Sequence, residues 1–544
     1  MPFYGISITP IINTLRLKFQ HLDNTTQQTT FSVSQVWLAD DATAAGKLQK
    51  LKEWWVTIIE EGKKFGYYVK PSKSWIILKN ADLQHQTEQL FQDAPINITT
   101  AGKRHLGASL GTNEYKNEYI DNKVAKWCER INKLSEIAKT HPHAAYAAFI
   151  HGEQHRYTYF MRTICEISEN LKPLDKVIDE KFLPTLFGRD ITDEDRELLS
   201  IQVKEGGMGI RQLHPNASKV YWTSKTITTP LIKQIIKQSD TLPKEEEVKK
   251  ARTTTMRKVR EDQEKRTEEI KSKQSPDIQR KLIQISEPGA SSWLGALPLS
   301  QYNFDLCKGE FQDAISLRYN KPLKNLPSDC PCGRSSFTVT HALNCHKGGF
   351  VNARHDNIRD LEAHMMKTIC NDVEIEPALQ PVPNPKIFNK KTANIRGDAR
   401  LDIRTRGFWR EGQNAFFDVR ITNAECDSQV NSTVQSVLRK NEQDKKREYN
   451  QRVMDIEHGT FTPLVFTTSG AMGFECSKYH KTLAEKMSRK NGEKYEDVMR
   501  YIRVKVSFLV MKATLLCLRG SRTMRKNNDV GGEDFSQRLR ELGV

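Results

Sequence analysis

The sequence predicts a multidomain fold combining α/β and all-α parts, and three observations carry that expectation. At 544 residues the chain is too long for one hydrophobic core; domains of roughly 150 residues imply three or four folded units. Its composition, 37% hydrophobic and 28% charged, is that of a globular chain rather than a disordered or fibrous one. Apolar spacing also changes along the chain, from short strand-like runs to helical periods of three and four, and back again.

Residues 1–112 mix short apolar runs with turns. Ser32 to Leu38 ends at Ala39-Asp40-Asp41, and Trp75 to Leu78 follows Pro71-Ser72-Lys73-Ser74, which together predict a small α/β unit. Over 113–240 the spacing is helical, with Val124, Trp127, Ile131 and Leu134 on one stripe and Ile232, Ile235 and Ile236 repeating it later. Residues 241–290 form a charged helical linker. Within 241–274 stand 11 Lys/Arg and 8 Asp/Glu among 34 positions, too little apolar surface to bury, so a solvated helix and a nucleic-acid arm are equal readings. Residues 291–350 hold a Cys/His segment, and 351–544 a second α/β domain.

The charge balance points to partners. With 84 Lys and Arg against 67 Asp and Glu, a net +17 suits a polyanion that sheds counterions on contact, so DNA and RNA are the expected partners. A membrane is not expected: no stretch approaches the ~20 apolar residues of a span, and Met1 to Gln20 lacks a signal-like order of basic then apolar residues. The expected location is intracellular, nuclear and cytoplasmic. Ten cysteines scattered over so long a chain argue against a secreted disulfide framework, except that Cys330, Cys332 and Cys345 cluster.

That cluster, with His341, gives Cys-x-Cys, eight residues, then His-x-x-x-Cys. A Pro331/Gly333 turn would present two thiolates, and one helical turn would carry His341 and Cys345 on a common face, completing a tetrahedral Zn²⁺ site. The plainer alternative is a pair of buried cysteines and a core histidine. His346 and His355 are close in sequence and are not expected to be ligands.

Val36-Trp37-Leu38-Ala39-Asp40-Asp41 would hold two hard carboxylates at a hairpin turn, where Mg²⁺ could bridge them to nucleotide phosphates. Farther on, Ala399-Arg400-Leu401-Asp402-Ile403 and Phe416-Phe417-Asp418-Val419-Arg420-Ile421 read as neighbouring strands. Period-two alternation puts Leu401 and Ile403 on one face with Asp402 opposite, and Asp418, Arg420 and Phe416 together away from Phe417, Val419 and Ile421. A carboxylate on each strand suits Mg²⁺- or Mn²⁺-dependent phosphodiester hydrolysis. A helix carrying Val434, Leu438, Glu442, Lys445 and Tyr449 comes next, then a strand, Pro463 to Phe466. The alternative is an Asp402–Arg420 salt bridge on a sheet face beside a solvated helix.

These motifs resemble the C-terminal part of non-LTR retrotransposon reverse transcriptases. Trp37-Leu38-Ala39-Asp40-Asp41 is similar to the family's Tyr-Ala-Asp-Asp box, with Leu38 replacing the usual aromatic. Gly66-Tyr67-Tyr68-Val69-Lys70-Pro71-Ser72-Lys73-Ser74 resembles the next motif, with Lys70 in place of the usual Asn; there Lys73 would stand near the leaving pyrophosphate. His105-Leu106-Gly107-Ala108-Ser109-Leu110-Gly111 resembles the primer grip. Met1-Pro2-Phe3-Tyr4 looks like the stretch after the family's template-contacting glycine motif. Ala144 to Phe149 and Gly206 to Ile210 resemble the thumb and connection. The resemblance implies a palm cut short in 1–112, without the earlier-strand aspartate that polymerisation needs, then a helical thumb and connection over 113–240.

The Cys/His segment resembles the zinc segment that precedes the restriction-like endonuclease of site-specific elements. In that endonuclease Asp402 matches the first Asp and Asp418 the second acid; Arg420 stands where Lys is usual, and Arg is a poor general base. Lys445, Lys446 and Tyr449 resemble the helix-borne Lys and Tyr of those elements. Glu442, one turn before Lys446, would orient it or complete the metal site. The expectation is a polymerase-inactive fragment with a metal-dependent DNA endonuclease; the alternative is a non-catalytic, zinc-containing nucleic-acid-binding protein derived from a retroelement.

Overall fold

The structure, a computed structural model, describes residues 2–22, 29–239, 241–333, 336–382 and 399–522. Met1, at the head of the Met1-Pro2-Phe3-Tyr4 stretch singled out above, lies outside them, as does 523–544 at the end of the expected last domain. The chain is mixed α/β, mostly helical with small sheets. It divides into two compact units, each discontinuous: Met1–Ile131, His155–Val177 and Gln212–Lys265 in one; Asn132–Gln154, Ile178–Arg211 and Arg266–Val544 in the other. Among the described residues no helix is long and apolar enough to cross a membrane.

In the first unit, helices Pro2–Lys18 and Leu48–Lys64 share a core of Ile8, Ile11, Leu15, Trp54, Trp55 and Ile58, the i, i+3/i+4 stripes of two amphipathic helices. Val33 packs against it from the hairpin Val33–Leu38/Asp41–Gly46. Buried Gln35 accepts from the indole N–H groups of Trp54 (3.1 Å) and Trp37 (3.2 Å), so the hairpin is pinned by polar contacts as well as by its apolar face. Short pairs complete the β structure among the described residues: Gln20–Leu22 with Thr29–Phe31, antiparallel, Trp75–Ile77 beside Asn97–Thr99, parallel, and Gly102–His105 with Ala108–Gly111, antiparallel.

Helix Asn113–Ala138 buries Val124, Trp127, Ile131 and Leu134, as their spacing predicts. The later repeat behaves differently. Ile232, Ile235 and Ile236 lie on helix Ala217–Ile236 but are 37%, 45% and 70% exposed, so the helical period is there without the expected burial. Helix Glu245–Ser272 buries only Ile270 among its residues, the outcome expected of so charged a segment. Helix Pro276–Ser286, which the sequence assigned to the same linker, is instead packed, burying Lys281, Leu282, Gln284 and Ile285.

The second unit contains the four-stranded sheet, the largest among the described residues. Helix α1 (Phe350–Lys367) leads into strands β1 (Val373–Ile375), β2 (Ile403–Arg406) and β3 (Asn414–Thr422); helix α2 (Val434–Asp455), strand β4 (Thr460–Thr467) and helices α3 (Phe474–Asn491) and α4 (Tyr495–Arg519) follow. The sheet order is β4-β3-β2-β1, antiparallel except for the β3–β4 pair, which is parallel as its helical crossover requires. Pro463 is accommodated because β4 is an edge strand.

β3 is covered on both faces, so it reads as a nearly unbroken apolar run. Ala415, Phe417 and Val419 enter the main core with Ile358, Leu361, Tyr479 and Ile502, whereas Phe416 faces the opposite way with Leu401, Val453, Phe461 and Tyr449. This is the alternation read from the sequence. The reading fails at β2: Leu401 and Ile403 do not share a face, since Leu401 joins the Phe416 cluster and Ile403 the main core. Asp402 is a bend rather than strand, and Glu376, which pairs with it through Glu376 N–H to Asp402 O (2.9 Å), has φ of 53°, so the regular pleat is broken between them.

Candidate functional site

The Cys/His cluster is built from local turns. Gly333, with φ of 85°, closes a turn by donating to Cys330 O (3.1 Å), which brings Cys330 and Cys332 together. Thr338 caps the short helix Val339–Asn344 by accepting from His341 N–H (3.0 Å), and Cys345 follows that helix directly. The ligand atoms of Cys330, Cys332, His341 and Cys345 all lie within 4.8 Å of one another. Cys330 Sγ and Cys345 Sγ are 3.8 Å apart, and Cys332 Sγ is 3.4 Å from His341 Nε2. Two thiolates each ~2.3 Å from a tetrahedral Zn²⁺ would stand ~3.8 Å apart, so the spacing fits a metal centre. None of the four forms a disulfide. Neither His346 nor His355 belongs to the set.

Asp40 and Asp41 stand at the tip of the first unit's hairpin, exposed, with Leu38 paired to Asp41 and Ala39 at φ 53° making the tight reversal. Tyr67 braces the tip: its hydroxyl donates to Asp40 O (3.0 Å) while its ring meets Trp37 edge-on at 5.6 Å. Lys73 lies exposed on the 3₁₀ turn Pro71–Lys73 and forms no ion pair with either aspartate. No third acidic, histidine or cysteine group joins Asp40 and Asp41 closely enough to share an ion among the described residues.

In the second unit the sheet gathers a different set. The register pairs Ile403 with Phe417, and its continuation sets Asp402 opposite Asp418. Asp418 is buried, and Lys445 from α2 reaches it, Nζ to Oδ2 at 2.7 Å. Burial pushes the Asp418 carboxyl up to about 6; Lys445 opposes that shift and the neighbouring Asp402 adds to it. Asp402 Oδ2 accepts from Val419 N–H (2.6 Å) and lies 3.1 Å from His355 Nε2.

His355 was missed as a participant in this site. Its Nε2 also lies 3.1 Å from Val419 O, and its Nδ1 3.2 Å from Asp356 Oδ1; all three partners are acceptors, so both ring nitrogens carry protons. Burial alone would lower its pKa, yet the hydrogen bond and charge of Asp402, with Asp356 and Asp418 behind, raise it to about 9. The site at rest is thus a neutralised set: Asp402 with His355, and Asp418 with Lys445.

Helix α2 distributes its other predicted residues among separate tasks. Lys446 pairs with Glu475. Glu442 is buried and turned to the start of α3, where its Oε1 accepts from Glu475 N–H (2.9 Å), so it caps a helix instead of orienting Lys446 or a metal. The approach is close: a Cβ on Gly473 would come within 2.1 Å of Glu442 Oε1, which explains the glycine. Tyr449 packs on Phe461 at 5.7 Å, and Lys445 Nζ lies 5.4 Å from the Tyr449 ring centre. Arg420, on the Asp418 face of β3, is half-buried and makes no ion pair among the described residues; in particular the Asp402–Arg420 salt bridge does not form. Only the Cys/His cluster brings three or more metal-binding side chains together among the described residues.

No model of a known protein family matches the chain, and no curated protein matches it.

Proposed function

We propose that the chain is the C-terminal part of a non-LTR retrotransposon reverse transcriptase, and that its second unit carries a metal-dependent DNA endonuclease beside a structural zinc centre. The observation that carries this reading is the meeting of Asp402, Asp418 and Lys445 where β2, β3 and α2 come together. A salt bridge that merely stabilised the sheet would not need a second carboxylate beside it, nor an unpaired arginine on the same strand face. The succession of helix, three strands, helix and strand supports the same reading, as does the Cys/His cluster ahead of it.

Mg²⁺ or Mn²⁺ fits a pair of carboxylates, because Mg²⁺ keeps several waters and takes only one or two protein carboxylates; bound there, it would activate a water and polarise the phosphate. Asp402 and Asp418 are the residues that would hold it. Lys445, freed from Asp418 by the incoming charge, stands ready to steady the scissile phosphate, and Arg420 supplies a permanent positive charge on the same side. Lys446 and Glu442 hold the start of α3, and Tyr449 holds α2 against the sheet. Nicking of supercoiled DNA with Mg²⁺ or Mn²⁺ tests this directly. Asp418→Ala should abolish nicking and leave DNA binding largely intact, since phosphate contacts are spread over many Lys and Arg.

A second reading, a zinc-containing nucleic-acid-binding protein without catalysis, is favoured by one observation: both acids are already neutralised by His355 and Lys445. Tight DNA binding by the wild type with no nicking under either metal would establish it.

A further inference from the structure

The second unit contains a cavity of about 480 Å³ lined by none of the acids or Cys/His cluster side chains described above, although Val339, Thr340 and Leu343 of its wall neighbour His341 in sequence and Asn423 and Glu425 directly follow β3. Its size falls within the ~300–1,000 Å³ range of small-molecule sites. Two of its lining side chains are buried cations: Lys281 and Arg318, 8% and 4% exposed. Neither has a carboxylate within 4 Å among the described residues. Lys281 Nζ donates to Ser469 Oγ (2.8 Å), and Arg318 donates to Ser291 Oγ (2.6 Å), Gly207 O (3.0 Å), Val203 O (3.3 Å) and Tyr319 Oη (3.3 Å). A buried charge without a close counterion is disfavoured, and burial accordingly lowers the Lys281 pKa, so an anion entering the cavity would be stabilised by these two groups.

The other charged groups of the wall do not supply it. Lys321 is taken by Asp195 (2.7 Å); Glu425 favours the Lys281 ammonium only from beyond ion-pair distance, being engaged by Gln284 and lying 4.0 Å from Arg280 Nε. Asp277, also on the wall, is exposed. An independent observation points the same way: Asn423, 4% exposed and on the same wall, uses its Oδ1 to accept from Glu425 N–H (3.1 Å), while its Nδ2 has no hydrogen-bond partner. Buried amide donors are rarely left unpaired. The same cavity is also lined by apolar side chains, Trp293, Leu343, Val510 and Met511.

From these features we infer that this cavity binds a small organic phosphate, its anionic head on Lys281, Arg318 and the Asn423 amide and a flat or apolar body against Trp293 and its neighbours. The inference holds whether or not the nuclease reading does. An inorganic anion would satisfy the cations and leave most of the cavity unfilled, and the apolar wall would then have no partner.

The test uses the full zinc-loaded chain in buffer free of other divalent ions, with AMP, adenosine and inorganic phosphate as probes in calorimetric titration. AMP should bind saturably, phosphate should displace it, and adenosine should bind far more weakly. Lys281→Met keeps the length of the side chain without its charge and should weaken AMP by about tenfold or more, the worth of a charged hydrogen bond. Asn423→Asp keeps the acceptor that Glu425 uses and adds a negative charge facing the anion; it should abolish binding while zinc content and circular dichroism stay as in the wild type. Equal affinity for AMP and phosphate would overturn the apolar body. Absence of saturable binding, or undiminished binding in both variants, would overturn the site itself.

Discussion

Replacing Lys445 with methionine removes the only ammonium within ion-pair distance of Asp418 among the described residues and leaves the packing volume nearly unchanged. In the native chain Asp418 already sits at about 6 against an ordinary 3.8, and that difference of roughly two pK units corresponds to about 3 kcal/mol disfavouring its charged form. Because the folded state binds this proton more tightly than the unfolded state, stability is highest below the ordinary carboxylate range and is lost as pH rises through 6. Without Lys445 the carboxyl shifts higher still, and breaking a buried pair by removing one partner costs about 3–5 kcal/mol. The loss should be concentrated at pH 8, where Asp418 must ionise or take up a proton, and be small at pH 5. Hydrogen exchange of β3 amides reads the effect locally, which avoids assuming that so long a chain unfolds in one step. Asp418→Asn added to Lys445→Met should restore most of the protection. Millimolar Mg²⁺ should protect the single variant more than the wild type, since the cation replaces the missing ammonium. Equal loss at pH 5 and pH 8, or no rescue by the double substitution, would refute the buried-pair argument.

Three further outcomes are expected. His143 is buried with both ring nitrogens unpaired, its ring stacked on Phe311 at 5.4 Å, and burial lowers its pKa to about 4 from 6.5; its neutral form therefore contributes about 3 kcal/mol that is complete above pH 6.5 and lost as pH falls through 4, and His143→Phe should flatten this acid limb in denaturation curves. The chain should carry one tightly held Zn²⁺ by elemental analysis; Cys332→Ser should lose it, and a chelator should increase proteolysis first near the helix Val339–Asn344. With only Asp40 and Asp41 gathered at the hairpin tip among the described residues, the chain should extend no primer with Mg²⁺ or Mn²⁺, and measurable extension would contradict that.

What could be read from the sequence was set by distance along the chain. The four residues of the Cys/His cluster span only Cys330 to Cys345 and are joined by one turn and one short helix, so their spacing nearly determines their geometry. The opposed faces of β3 were equally legible, because a strand covered on both sides keeps its alternation. Contacts made across the fold were not. His355 reaches Asp402 across 47 positions and only because α1 packs along the sheet, a fact no local pattern encodes. Glu442 looked like a partner of Lys446 on helical spacing, yet the exposed N–H groups at the start of α3 compete for it and win, since a buried carboxylate gains more from a helix N-terminus than from a lysine that has Glu475 within reach. The isoleucines of Ala217–Ile236 show the converse limit: periodicity specifies the helix but not what covers it.

The same distinction bears on catalysis. Strand alternation could bring Asp402 and Asp418 side by side, but whether two neighbouring acids bind a metal depends on what neutralises them when it is absent. Here that role falls to His355 and Lys445, one on each acid. A metal arriving at the site must displace both cations, so affinity is reduced by the strength of the resting pairs and each displaced group becomes available to phosphate. A neutral substitution at Lys445 should therefore tighten Mg²⁺ binding while slowing any nicking, whereas in a purely structural site it would do neither.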